Sequence, residues 1–483
     1  MFNKQDLQSS KSRRNFNKNN MVQYKNLNSV MICILLSLFV ANTFGQTKNF
    51  SREQMSQDID TLFSTIEKVH PDMYAVYPKE LLDKDIERVK SELNPNGDIF
   101  YLYRQITPLV VKLGDGHTSV LPPPFPPFLY PDFLEIVDMP FFPFSVKVTY
   151  PDKIILVQED YTQSQNTIPI GAQIISINNK QADEIVLKMM NYVSGEKDFS
   201  KTAKFEQLFI PLMNILYRDS IFNIEYKFNQ KMYSIQVKGI SHKKIYEKPL
   251  QQTSFMSREK YTFRTLPDKN IGIIKFDMFD NLDRFKSFLD STFQVLQKEN
   301  IENLIIDIRA NGGGNSSLGD EMFQYISPVP FAQFGKAIVK YSDIQKQFHK
   351  TNFNLEISNP NGIEIQNESP TLIELRENSL RYKGNVFLLT SHFTFSSAAD
   401  FAWAFKYFNM GTVIGEETGG MAVSFGDMVT QKLPNSGLIY GISFKKFYSY
   451  GATDNDVHGT LPDYNIEADK ALEFTINLIT REK

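Results

Sequence analysis

The pattern of apolar and polar positions changes character three times along the chain. From residue 50 to about 113 apolar residues recur at helical spacing, which predicts helices over 52–69, 78–93 and 99–112. From 142 to about 239 the pattern shortens and predicts strands around 170–178, a helix over 182–192, then strands around 222–228 and 234–237. After Tyr261 continuous apolar runs at 271–276, 304–308, 386–390 and 413–415 alternate with helical stretches at 284–299, 319–326 and 397–407. That alternation predicts a layered α/β core. Two stretches break the scheme. The Pro-rich run 121–127 reads as an extended linker or groove edge, and the polar, poorly periodic run 336–382 reads as an insertion near the site.

Candidate chemistry gathers where apolar runs end. In Thr394-Phe395-Ser396-Ser397-Ala398-Ala399-Asp400 small hydroxyl residues stand where a buried strand hands over to an Ala-rich helix. A serine on a helix's first turn lies beside unpaired N–H groups and the positive end of the helix dipole, where an oxyanion is favoured. Ser and Thr are also among the best N-caps, so the stretch fits a nucleophile or a cap. The run Asn303 to Asn315 ends in Gly312-Gly313-Gly314, which either aims N–H groups at a ligand or makes a tight strand-to-helix turn. Leu113-Gly114-Asp115-Gly116-His117-Thr118 places a histidine between glycine-rich turns. Nucleophile, donors and imidazole together are the groups an acyl transfer needs.

At these positions the chain resembles the superfamily of the C-terminal processing (tail-specific) peptidases, the tricorn core protease and the interphotoreceptor retinoid-binding protein repeats. The resemblance covers most of the chain after about residue 50. It rests on Asp115-Gly116-His117-Thr118, on Asp307-Ile308-Arg309 with its glycines, on 394–402, on Val413-Ile414-Gly415-Glu416 with Thr418-Gly419-Gly420, and on Gly459 through Pro462-Asp463. It implies an α/β fold: a Clp protease/crotonase-like layered core with an N-terminal helical domain and a PDZ-like β-rich domain. The implied divisions are a leader and signal peptide at 1–46, the helical domain with the Asp-Gly-His-Thr segment at 47–125, the PDZ-like domain at 126–245 and the catalytic core at 246–483.

Carried over residue by residue, the resemblance makes Ser396 the nucleophile, with Ser397 its neighbouring alternative. It gives the Gly313 and Ser397 N–H groups to the oxyanion hole, with Gly312 as the alternative donor. Where the C-terminal processing branch has a lysine base this chain has Met421, and the next lysine is Lys432. The resemblance is therefore nearer the tricorn-like branch, which uses a histidine from this segment, and His117 takes that role. The orienting acid is then Asp456, with Asp454 as alternative, and an acid so placed would lift the imidazole's titration above its ordinary value. The tricorn-like branch has a serine before the histidine, whereas here Gly116 stands there. His392, close to the serine in sequence, is the competing base. Gly171 to Asn179 resembles the family's PDZ segment, which implies peptide binding by sheet-edge addition; a plain β-rich spacer is the alternative.

The remaining features bound the picture. His70 ends a helix and reads as a partner of local carbonyls, while His242, His349 and His458 read as exposed loop or strand residues. No histidine pair has metal-ligand spacing and there is one cysteine, Cys33, so a zinc mechanism has no support and no cofactor is expected. The net charge of −3 and the lack of a basic stripe beyond the extreme N-terminus argue against a nucleic-acid partner. From Met21 the chain reads as a secretory signal: Lys25, an apolar run over 30–40 too short for a membrane span, and cleavage near Gly45 or Gln46. The expectation is thus a secreted or periplasmic serine endopeptidase that cleaves peptides or unfolded protein tails through a Ser-His-Asp acyl-enzyme mechanism. The rival is a non-proteolytic hydrophobic-ligand or peptide-binding protein on the same scaffold. A crotonase-type acyl-CoA enzyme is disfavoured by the leader and by the absence of a basic patch for phosphates. Phe125, Phe128 and Tyr130 are candidates to line an apolar groove.

Overall fold

The structure is a computed structural model that describes residues 48–123 and 140–481, apart from 163, 166, 242–243 and 246–258. The leader with Cys33, the groove candidates Phe125, Phe128 and Tyr130, and His242 lie outside the described residues. The chain opens with α1 (Arg52–Val69), α2 (Lys79–Ser91) and α3 (Ile99–Val111). A capping box starts α1: Ser51 Oγ accepts the Gln54 N–H while the Gln54 side chain accepts the Ser51 N–H. All three match the helices expected from periodicity. A loop over 112–118 then leads into β1 (Ser119–Val120).

The next stretch forms an antiparallel sheet from β2 (Phe144–Val148), β3 (Ile155–Asp160), β4 (Gln173–Ile177), β5 (Lys180–Gln181), β6 (Ile221–Phe228) and β7 (Lys231–Lys238). Its order is β2-β3-β4-β6-β7, with β5 beside β4. Three helices accompany it: α4 (Ala182–Met190), α5 (Asp198–Ala203) and α6 (Phe205–Tyr217). The expected strands and α4 are present, whereas β2, β3, α5 and α6 had no counterpart in the sequence reading. In α6 the run Phe205 to Tyr217 is apolar nearly all round and carries Pro211, so no one-sided stripe marks it.

The C-terminal stretch holds two more sheets. Its elements are β8 (Tyr261–Leu266), β9 (Ile271–Phe276), α7 (Leu282–Lys298), β10 (Asn303–Asp307), α8 (Ser317–Ile326), β11 (Phe334–Tyr341), α9 (Asp343–Phe353), β12 (Gly362–Gln366), β13 (Asn385–Thr390), α10 (Ser397–Tyr407), β14 (Thr412–Gly415), β15 (Val423–Lys432), β16 (Ile439–Ser449), β17 (Tyr464–Asn465) and α11 (Ala468–Arg481). One sheet runs β17-β14-β13-β10-β9-β8, parallel except at the β8 edge. Its strands are covered on both faces, which is why they read as continuous apolar runs. Ile274, Ile306 and Leu388 pack with α7, α8 and α10 on one face. Ile273, Ile305 and Leu389 pack with α11 on the other. The fold is therefore mixed α/β with a layered core, as expected.

The second sheet is antiparallel: β16 lies between β15 and the pair β1 and β11, with β12 outside β11. The polar run 336–382, read as an insertion near the site, contributes to this sheet, since β11, α9 and β12 all lie within or across it. Pairing of β1 with β16 carries the loop after α3 to the far side of the chain, with Ser119 opposite Gly441. The N-terminal helices, the β2–β7 sheet and this second sheet share one buried cluster that includes Ile59, Phe144 and Ile442.

Candidate active site

The turn between β13 and α10 is stitched to the turn after β10. Ser391 Oγ donates to the Arg309 carbonyl (2.6 Å), Thr394 Oγ1 donates to the Ile308 carbonyl (3.0 Å), and the Phe395 N–H donates to the Asn311 carbonyl (3.1 Å). Asn311 in turn spans to Phe276 through Nδ2 (2.7 Å). Two loops at the carboxyl ends of parallel strands are thus locked together, where ligands of open α/β sheets bind.

On that platform Ser396 stands apart from every neighbouring hydroxyl. It precedes α10 with φ 53° and ψ −135°, a conformation costly for a residue with a side chain, and it makes no capping hydrogen bond. Among the described residues its Oγ has no hydrogen-bond partner, whereas Ser397 Oγ donates to the Gly314 carbonyl (2.6 Å). The cap alternative is therefore not what this serine does. Gly313, at φ 102°, lies so near that a Cβ there would be 2.7 Å from Ser396 Cβ, so only glycine fits.

The donors differ from expectation. The Gly313 N–H is already donated to Asn311 Oδ1 (2.9 Å), an Asx turn that takes it away from an oxyanion. Among the described residues the N–H groups of Ser397 and Gly312 have no such partner. Asp307 and Arg309, singled out in the same motif, pair with each other (Nη2 to Oδ2, 2.6 Å). Their part is to hold the loop.

His117 reaches this platform from the other side of the chain. Its ring stacks on Phe395, the residue before Ser396, at 4.6 Å between centroids. No hydrogen bond joins it to Ser396 in this structure, and its Nδ1 is buried without a partner, 4.0 Å from Asp115 Oδ1. Burial pushes the imidazole below its ordinary value; Asp115 and Asp427 pull it up and the Lys204 ammonium pushes it further down. The net fall overturns the expected rise, because desolvation outweighs the acids.

Asp115 was missed by sequence reasoning, although it stands two residues from the histidine. It is fully buried and gathers three donors: the His117 N–H on Oδ1 (2.8 Å), with His70 Nε2 (3.2 Å) and Ser443 Oγ (2.7 Å) on Oδ2. Burial alone would raise its carboxyl, but the His70 hydrogen bond and the nearby imidazoles hold it below the usual carboxylate range. His70 is therefore no partner of local carbonyls. Its Nδ1 accepts the Asp72 N–H (3.1 Å), which leaves the proton on Nε2 to face Asp115.

The expected acids lie elsewhere. Asp456 accepts from the Thr453 N–H and Oγ1 (2.8 and 2.9 Å) and faces His458 at 3.9 Å, with no contact to His117. Asp454 accepts from Tyr448 Oη (2.6 Å) and faces Lys446. Both are in the loop after β16, on the side of Trp403. The competing base His392 has Nδ1 on the Glu417 carbonyl (3.0 Å) and stacks on Phe199 rather than towards the serine. His349 is not an exposed loop residue: it sits in α9 against Phe444 and Phe353.

Asp115, His117 and Glu196 each offer a ligand atom within 4.8 Å of the others, the one such group among the described residues. The Lys204 ammonium acts on this same cluster, and a second positive charge there would be repelled. We read it as a proton-handling cluster. No cation is needed to explain it.

A strained, unbonded hydroxyl at a helix N-terminus, with an imidazole stacked one residue away, is a candidate centre for serine-type hydrolysis. Residues 270–466 match the model of peptidase family S41. Over these residues the chain thus carries a peptidase family S41 domain, which supports a serine peptidase, a hydrolase. Among solved structures it is similar to mature CPAF, at 11% identity and a TM-score of 0.60 over 89% of this chain and 97% of that one. It is also similar to mature CPAF complexed with lactacystin, at 12%, 0.59, 89% and 98%. The photosystem II D1 C-terminal processing protease is matched at 14% identity and a TM-score of 0.44, over 88% of this chain and 97% of that one. At such identities the likeness to CPAF speaks for the fold alone.

Proposed function

We propose that this peptidase is an extracytoplasmic serine endopeptidase, periplasmic or secreted, that cleaves peptides or unfolded protein tails through an acyl-enzyme. Ser396 is the nucleophile, His117 the base and Asp115 the acid that orients it, in place of Asp456. One observation carries the reading: Ser396 holds a strained backbone and an uncommitted hydroxyl where the adjacent Ser391, Thr394 and Ser397 hydroxyls are all hydrogen-bonded. The extracytoplasmic location rests on the leader's sequence. No helix among the described residues is long and apolar enough to cross a membrane.

In this mechanism His117 takes the Ser396 proton as Oγ attacks the scissile carbonyl. The oxyanion is met by the Ser397 N–H, aided by the helix dipole, and by the Gly312 N–H; each donor is worth about 3 kcal/mol. Protonated His117 then gives its proton to the leaving amine, and water repeats the sequence on the acyl-enzyme. The edge of the β2–β7 sheet at β7, which among the described residues pairs only with β6, is where an extended substrate would add as a further strand.

The experiment is hydrolysis of a denatured model protein by Ser396→Ala beside Ser397→Ala. Ser396→Ala should lose about 10⁴-fold or more, and Ser397→Ala, which keeps the backbone N–H, less than about tenfold. The reverse order would move the nucleophile by one residue. Undiminished hydrolysis in both would leave a peptidase whose site is elsewhere.

A further inference from the structure

Gly116, between Asp115 and His117, has both polar groups of its peptide held by charged side chains from a distant segment. Its N–H donates to Glu196 Oε1 (3.1 Å), and its carbonyl accepts from Lys204 Nζ (3.1 Å). Lys204 also donates to the Ser194 carbonyl (2.7 Å) and lies over the Phe395 ring at 4.5 Å, the ring on which His117 stacks. A Cβ on Gly116 would meet Glu196 Oε2 at 2.6 Å and Phe395 Cζ at 2.7 Å. The space that a side chain at 116 would fill is taken by the Glu196 carboxylate and Phe395. Glu196 and Lys204 flank α5, which leads into α6 and so belongs to the β2–β7 sheet; Phe209 of α6 packs on Phe142 at 5.6 Å.

We propose that the β2–β7 module completes the catalytic centre: Glu196 and Lys204 are positioning residues that clamp the Gly116 peptide and thereby fix His117 against Phe395 and Ser396. The inference rests on the reading of His117 as base. Among the described residues the two groups form no ion pair within 4 Å, although each feels the other's charge; Glu196 Oε2 has no hydrogen-bond partner, and burial raises the Glu196 carboxyl to about 7. Burying an ionisable carboxyl and amine this far apart, charged or neutralised, costs stability. A fold that keeps both around one glycine peptide sacrifices stability at a point where only geometry is gained. Sheet-edge binding alone predicts that loss of the module harms long substrates more than short ones; the clamp predicts that the chemical step itself fails, whatever the substrate length.

The test uses the full chain with a short chromogenic peptide, measuring kcat and KM across pH for Lys204→Met, Glu196→Leu, Glu196→Gln and His117→Ala. Folding is checked by thermal melting. Lys204→Met and Glu196→Leu should lower kcat about tenfold or more with KM changed less than about twofold, and Glu196→Gln, which keeps an acceptor for the Gly116 N–H, should recover at least about a third of wild-type kcat. The charged groups around His117 are Asp115, Lys204, Asp427 and Glu196, and the Phe425 backbone also hydrogen-bonds to it. Removing the Lys204 charge should therefore move the acid limb of the profile to higher pH. Folded Lys204→Met and Glu196→Leu proteins with kcat within about threefold of wild type would overturn the clamp. Should Lys204→Met not fold, the comparison of Glu196→Leu with Glu196→Gln decides alone, equal kcat in the two refuting it. Activity retained in His117→Ala would instead refute the base assignment beneath it.

Discussion

Replacing Asp115 by Asn tests the acid assignment, because the change is isosteric while the carboxylate it removes accepts three hydrogen bonds. The His117 N–H reaches Oδ1 at 2.8 Å; His70 Nε2 and Ser443 Oγ reach Oδ2 at 3.2 and 2.7 Å. An amide offers a single oxygen. Turned towards His117, it presents NH2 to His70, whose proton is fixed on Nε2 because Nδ1 accepts the Asp72 N–H. Turned the other way, it presents NH2 to the His117 N–H. At least one buried donor loses its acceptor either way, and each such loss costs about 1–3 kcal/mol of stability. The catalytic loss is separate. Without the carboxylate 4.0 Å from His117 Nδ1 the imidazolium loses its largest support, and only Asp427 and the Phe425 carbonyl still favour it. The same change in a serine triad costs about 10⁴ in kcat; the longer separation here sets the expectation between about 10² and 10⁴. Steady-state kinetics on a short peptide, with the folded fraction measured by circular dichroism, separates the two effects. A folded Asp115→Asn protein with kcat within about threefold of wild type would refute the role.

Asp456→Asn should leave kcat/KM within about twofold, since its carboxylate serves only Thr453 and His458; a loss of 10²-fold or so, read in the same assay, would restore the acid to the C-terminal loop. For pH, burial lowers the His117 titration, and only neutral imidazole accepts a proton, so kcat/KM should rise with pH with a midpoint below the ordinary imidazole value of about 6.5. A midpoint above that value in the wild-type profile would contradict the desolvated site. Asp400 in α10 has its carboxyl raised to about 7 by burial, with only Ser449 Oγ on it at 3.2 Å. A raised folded value favours the fold at low pH, and that benefit is lost as pH rises from about 4 through 7, a swing on the order of 4 kcal/mol. Asp400→Asn should therefore raise Tm near pH 8.5 far more than near pH 5, and an equal shift at both, by calorimetry, would count against it.

Much of the architecture was legible because buried parallel strands and amphipathic helices leave strong patterns: β9, β10, β13, α1 and α7 fall where periodicity places them. Less was legible where apolarity saturates, as in α6, or where strands are half-exposed, as in β15, whose faces mix Phe425 and Val429 with Asp427 and Gln431. At the site, Ser396 and His117 were visible as residues at glycine-rich turns. Asp115 was read over although it lies two positions from His117, because an acid in a short loop looks solvated until the His70 and Ser443 donors close around it. Glu196 and Lys204 lie 80 and 88 positions from Gly116, and nothing local marks residues that act on a loop so far along the chain. Asp456 shows the converse: a position carried over by resemblance, here turned towards Thr453 and His458.

The central claim is that Ser396 is the activated hydroxyl, and covalent capture tests it most directly. A fluorophosphonate probe is incubated with the wild-type protein, with Ser396→Ala and with His117→Ala, and the labelled peptide is sequenced by mass spectrometry. The account predicts one phosphonylated residue, Ser396, with labelling absent in Ser396→Ala and slowed by about 10³-fold or more in His117→Ala. Label on Ser397, or labelling that persists unchanged when Ser396 is alanine, would contradict it.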